Sequence, residues 1–170
     1  AHTTQVVFRF AVRPTPAAAE PGSLELQIDI EWRPRRSVFF SEVMKNPAAK
    51  PDSEAEWLEL SNAGSEAFSL MGCVVSRDTQ SFAISKPIVL EPNASAVFAN
   101  GEAPGFTPDE VYSGISLPNT TDFHLSLSCN GELLDEVFVV AKTFPNEAAK
   151  SLSLSPEQWS ASGNDAASAW

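Results

Sequence analysis

Apolar residues that recur at every second position, cut short every few residues by proline, glycine or asparagine, restrict this chain more than any other feature. Phe123, Leu125, Leu127 and Cys129 alternate with His124, Ser126 and Ser128. A helix of about 3.6 residues per turn would scatter those apolar side chains around its circumference, whereas a strand puts them all on one face. Asn130-Gly131 follows, the dipeptide that best tolerates the left-handed backbone of a tight hairpin. Leu133–Val140 reads as the return strand. Upstream, Val38–Met44 reads as a strand and 46–52 as a proline-containing loop. Glu56–Ser61 is a strand with Leu58 and Leu60 on one face, and Asn62-Ala-Gly64 turns the chain. Phe68–Asp78 continues past Gly72. Shorter strands follow at Phe82 and Ile84, at Val89 and Leu90, and at Ala94–Ala99, separated by Pro87 and Pro92. Ser151–Leu154 is a last short strand before a polar tail. No stretch has helical periodicity. Many short strands with frequent turn signals predict an all-β chain, an antiparallel sandwich or barrel.

The first 36 residues form a segment of their own. Thr4, Val6, Phe8, Phe10 and Val12 alternate with Gln5, Val7, Arg9, Ala11 and Arg13, Pro14 to Gly22 breaks the pattern, and Leu24, Leu26, Ile28, Ile30 and Trp32 resume it. This predicts a two-stranded hairpin, which is marginal in water without a third element against its apolar face. Each large side chain left uncovered forgoes roughly 1.5–3 kcal/mol. The stripe Val6, Phe8, Phe10, Val12, Leu24, Leu26, Ile28 and Ile30 is therefore a candidate assembly surface. Pro34-Arg35-Arg36 reads as a solvated linker, giving two domains, 1–36 and 37–170.

Charge divides along the same line. Residues 1–36 carry five arginines against four acids, net +1, while 37–170 carry six Lys/Arg against eighteen Asp/Glu, net −12. So acidic a body repels phosphate backbones, which argues against nucleic acid as a partner. The longest apolar run, Val137 to Ala141, falls far short of the roughly 20 residues of a membrane helix, so no membrane span is expected. With 43% apolar residues and eleven phenylalanines the chain has what it needs to bury a core.

Signs of catalysis are few. His2 and His124 are the two histidines, and HExxH, CxxC and phosphate-cradling glycine loops are all missing from the sequence. Gly114-Ile-Ser-Leu-Pro118 matches a nucleophile elbow for three residues, lacks the final glycine and reads as a turn. His124 alternates onto the Asp122/Ser126 face as a surface histidine. Asp52, Glu54 and Glu56, and the loop pair Asp109-Glu110, lack a calcium-loop pattern and read as solvated acids. No catalytic residue, metal site or cofactor is expected. Asn93-Ala-Ser95 and Asn119-Thr-Thr121 are glycosylation acceptors only in a eukaryotic host. Cys73 and Cys129 both fall where the alternation points inward. One disulfide between strands, with an oxidising compartment, and two separate buried thiols both fit this pattern.

An ordered set of segments resembles a lamin-tail domain over 37–170. It comprises Val38-Phe-Phe-Ser-Glu-Val-Met44, Glu56-Trp-Leu-Glu-Leu-Ser-Asn62, Phe68-Ser-Leu-Met-Gly72 and Leu90-Glu-Pro92. The strand–Asn-Gly–strand unit ending in Leu134-Asp-Glu-Val137, then Lys150-Ser-Leu-Ser-Leu154, Asn164-Asp165 and Trp170, complete it. The resemblance implies an immunoglobulin-like antiparallel β-sandwich, here with an N-terminal two-stranded extension. Without heptads upstream, the similarity is to bacterial members of the family. Those sit in secreted or surface proteins, alone, in arrays or attached to hydrolases, as adhesive or targeting modules. The family pattern has acids at Glu42 and Glu59, which read as anchors for backbone N–H groups or loop residues. The basic surface by which lamin tails contact DNA has no counterpart in so acidic a segment. The expected role is a non-catalytic interaction or adhesion module of an extracellular or cell-surface protein whose leader has been removed. Loops 45–55, 100–110 and 141–150 would carry recognition. The alternative is a structural subunit that self-associates into a homo-oligomer or filament, its hairpin pairing with a neighbouring subunit.

Overall fold

Backbone groups in an extended chain need partners on the next strand, and the alternating runs find them in two packed sheets. A computed structural model describes residues 8–10, 28–30, 37–48, 50–102 and 104–170. The chain divides into two compact units, Ala1–Arg35 and Arg36–Trp170. In the first, β1 (Phe8–Phe10) pairs antiparallel with β2 (Ile28–Ile30), Phe8 opposite Ile30. Val6, Val12, Leu24, Leu26 and the Pro34–Arg36 joint lie outside the described residues.

The second unit begins with β3 (Val38–Met44), the single helical turn α1 (Asp52–Ala55), β4 (Trp57–Asn62), β5 (Phe68–Ser69), β6 (Val74–Arg77) and β7 (Gln80–Ala83). It continues with β8 (Val89–Leu90), β9 (Ser95–Ala99), β10 (Glu110–Val111), β11 (Phe123–Cys129), β12 (Glu132–Val139) and β13 (Leu152–Ser153). One sheet runs β10-β9-β4-β3-β13, the other β12-β11-β6-β7, and β5 pairs with β8. The unit is an all-β sandwich. Phe40, Leu58, Leu60 and Phe98 of the first sheet join Val75, Leu125, Leu127 and Val137 of the second in one core, all at most 1% exposed. β11 alternates strictly between buried and half-buried residues, as its sequence requires. At the hairpin tip Asn130 and Gly131 adopt φ of 52° and 82°, the left-handed pair such a turn needs.

Cys73 and Cys129 form a disulfide. It ties the residue before β6 to the last residue of β11, and these strands are neighbours in one sheet.

Four features differ from the expectations. Phe68–Asp78 is two strands, because Gly72 at φ 81° reverses the chain between β5 and β6. The loop after β3 closes with the helical turn α1. Glu110 lies in a strand and pairs parallel to β9 within otherwise antiparallel sheets. The polar tail is structured: 155–170 folds back over β3, where Phe39, Leu154 and Ala169 form a second small core. The Trp159 ring meets Phe39 edge-on at 6.1 Å. That cover explains why three consecutive apolar residues, Val38, Phe39 and Phe40, are all buried.

Candidate functional site

Lys45 follows β3 and turns inward, 3% exposed. Its Nζ donates to the Asn119 carbonyl at 3.1 Å and to Asn146 Oδ1 at 2.5 Å. Asn146 Nδ2 donates to the same Asn119 carbonyl at 2.8 Å, and Asn119 Nδ2 donates to Asp52 Oδ2 at 2.9 Å. A backbone bond from Ala149 to the Asn46 carbonyl closes the ring of loops. Both of these acceptors are neutral, and burial lowers the pKa of the Lys45 amine.

The third loop is fastened through Glu56, which is 1% exposed. Its two oxygens both lie 3.1 Å from the Leu117 N–H, and Oε2 accepts Asn100 Nδ2 at 3.2 Å. Burial pushes this carboxyl up to about 7 against the pull of those donors. Gly101 sits so close to α1 that a Cβ would stand 2.8 Å from the Glu54 backbone, so only glycine lets the loop approach. Phe106 packs edge-on against Trp57, ring centroids 5.6 Å apart.

Loops 45–55, 100–110 and 141–150 thus meet at one end of the sandwich. The segment that joins them is a fourth, around Leu117–Asn119, which the sequence offered only as a turn and a glycosylation acceptor. Two surface hollows flank this end. One, of about 290 Å³, is lined by Lys86, Glu102, Phe106, Thr107, Pro108 and Val111. The other, of about 260 Å³, is lined by Asp78, Asp122, His124, Phe138 and Val140 among others. In it His124 stacks on the exposed Phe138 ring at 4.0 Å and reaches Glu136 at 3.1 Å. Hydrogen bonding to Arg77 holds Asp78 below the usual carboxylate range.

Of the acids named from sequence, Glu42 holds a loop residue, Ser151, whereas Glu59 holds a side chain of the neighbouring strand. Glu59 accepts the Ser41 hydroxyl at 2.5 Å, and Glu42 accepts the Ser151 hydroxyl. Backbone N–H groups are anchored by other carboxylates, among them Glu56 on Leu117, Asp135 on Phe40, and Glu110 on Ser85 and Lys86. Burial opposes ionisation of Glu110, but the donors from Ser85 and Lys86 outweigh it and hold its pKa low. Of the earlier metal candidates, Asp52 is bonded to Asn119 and Glu56 points into the protein. Among the described residues no three of His, Cys, Asp and Glu are grouped to hold a metal. None of the described helices is long and apolar enough to cross a membrane. Gly114–Pro118 is a loop whose Ser116 carbonyl accepts Arg77 Nε at 2.9 Å.

The class of protein that fold and site define is a disulfide-linked all-β module with its loops gathered at one end. Compared with known proteins, the chain matches no protein-family model and no curated protein.

Proposed function

We propose that residues 37–170 are a non-catalytic interaction module of lamin-tail type, with an immunoglobulin-like sandwich, in an extracellular or cell-surface protein. The observation that carries this reading is the loop end. Four loops are locked to one another by buried side chains on a rigid, disulfide-linked scaffold, and loops held in that way are where such folds bind. The disulfide supports an oxidising compartment. Phe106, 41% exposed, and Val111 supply the aromatic and apolar contact area that recognition sites concentrate near their centres. The test is binding of the intact chain to a panel of extracellular matrix proteins and glycans. A Phe106→Ala, Val111→Ser variant should lose the captured ligand while staying folded, with only the small drop in thermal midpoint expected from losing the Phe106–Trp57 contact. Turnover of ester, phosphate or glycoside substrates by the purified chain would overturn the reading.

The pairing of β1 with β2 as a unit of its own favours a second reading, a subunit that self-associates through this hairpin. Light scattering on the whole chain and on residues 36–170 separates the two. Large species that vanish with the hairpin support assembly, and monomers in both cases remove it.

A further inference from the structure

Asp135 lies at the middle of β12, fully buried. Its Oδ2 accepts the Phe40 N–H of β3 at 2.8 Å and Asn164 Nδ2 of the C-terminal segment at 2.8 Å. Asn164, also fully buried, donates in addition to the Phe40 carbonyl at 3.1 Å and accepts the Trp170 indole N–H on its backbone carbonyl at 2.8 Å. Two side chains thereby join β12, β3 and the segment 155–170. They leave two oxygens over: Asp135 Oδ1 and Asn164 Oδ1 are both buried and have no hydrogen-bond partner among the described residues. A carboxylate is acceptor only, and so is an amide oxygen, so neither can satisfy the other. A single proton on Asp135 Oδ1 changes that. It turns one orphan into a donor, while the other remains an acceptor, carried on an amide already bonded to the same carboxyl.

We propose that Asp135 is held as the neutral acid and that its proton is a latch, closing the seam between β12, β3 and segment 155–170, so that losing the proton loosens that segment.

The groups facing Asp135 agree. β3 presents the Phe40 amide, β11 presents Leu127 opposite it, and β12 adds the Glu136 backbone N–H. The C-terminal segment brings Asn164 and a second carboxylate, Asp165. Among the described residues no cation is found acting on Asp135, while burial and Asp165 both raise its pKa, to about 7 overall. An unburied aspartate titrates near 3.9. The latch is therefore tight in acid and releases as pH rises towards neutrality. Segment 155–170 covers Phe39, so loosening it uncovers an apolar face of β3.

The decisive measurements are the pH titration of the Asp135 carboxyl carbon by NMR and amide exchange of the whole chain, corrected for intrinsic rates. The carbon should titrate near neutrality. The opening constant read at the Phe40 amide and the Trp170 indole should rise about tenfold per pH unit between roughly pH 5 and 7, then level off. Asp135→Asn, which keeps an acceptor for Phe40 and supplies a permanent donor, should abolish that rise. A carbon titrating in the ordinary carboxylate range overturns the proposal, as does the same pH dependence in Asp135→Asn, which would assign the effect to Glu56. If the variant does not fold, the titration of the unmodified chain decides alone.

Discussion

Single carboxylates decide more here than their number suggests. Eighteen acids lie in 37–170, and most are solvated, but Glu56 and Asp135 are buried and both are raised to about 7. Replacing Glu56 by alanine leaves the Leu117 N–H and Asn100 Nδ2 without an acceptor and opens a gap, at a cost of about 2–4 kcal/mol in urea unfolding. Glu56→Gln keeps an acceptor for Leu117 and should cost less than half as much. The two raised pKa values also set a sign. A carboxyl that is protonated in the folded state and ionised in the unfolded one makes the folded chain bind more protons, so stability falls as pH rises from about 4 to about 7 and is level above. Glu110, whose pKa is lowered, acts oppositely and loses its contribution as pH falls below the ordinary carboxylate range. Urea midpoints across pH should therefore peak on the acid side, between about pH 4 and 5. A peak at neutral pH would show both buried acids to be ionised in the fold.

At the scale of elements, strands whose pattern is local were legible and strands made by distant partners were not. β11 and its Asn130-Gly131 turn are written in consecutive residues, and the turn sets Ser128 opposite Leu133. A bulge beyond it shifts the register by one, so that Leu127 faces Asp135 and Phe123 faces Val139, which the turn alone does not give. β10 has two residues and no pattern; it exists because Asp109 accepts the Val97 N–H at 2.8 Å and Glu110 fastens the Ser85 backbone. Likewise the inward alternation marked Cys73 and Cys129 as buried, but only the β6–β11 pairing puts them together. The disulfide closes a long loop with a sequence separation of 56, so reducing it should lower unfolding free energy by roughly 3–4 kcal/mol. Urea curves with and without reductant measure this. Gly131→Ala, which forces a Cβ into a left-handed position, should cost about 1–2 kcal/mol in the same assay.

The whole molecule depends on an end that looked dispensable. Segment 155–170 is polar in composition, yet Ala169 and Trp170 pack on β3 and Asn164 is fully buried. A chain ending at residue 154 should expose Phe39, lose Asn164 from the seam and self-associate, as light scattering and binding of a hydrophobic dye would show; a stable monomer would mean that the seam holds without its cover. The candidate site follows the same logic. Its three outer loops were marked by proline, glycine and polar runs, while nothing marked Lys45 and Asn119 as joining them, since a lysine after a strand and an asparagine in a glycosylation acceptor both read as surface. Taken alone, the sequence determined an all-β chain, the positions of most strands and turns, two units of opposite charge sign and a buried cysteine pair. All of these depend on neighbours a few residues apart, which periodicity and turn chemistry report directly. Tertiary structure alone decided which acids are buried, that the cysteines are bonded, that the tail is cover and that Asn119 joins the loops. Those depend on contacts such as Phe40 to Asp135 and Phe40 to Asn164, 95 and 124 residues apart. No local pattern encodes a partner that only chain folding brings within reach.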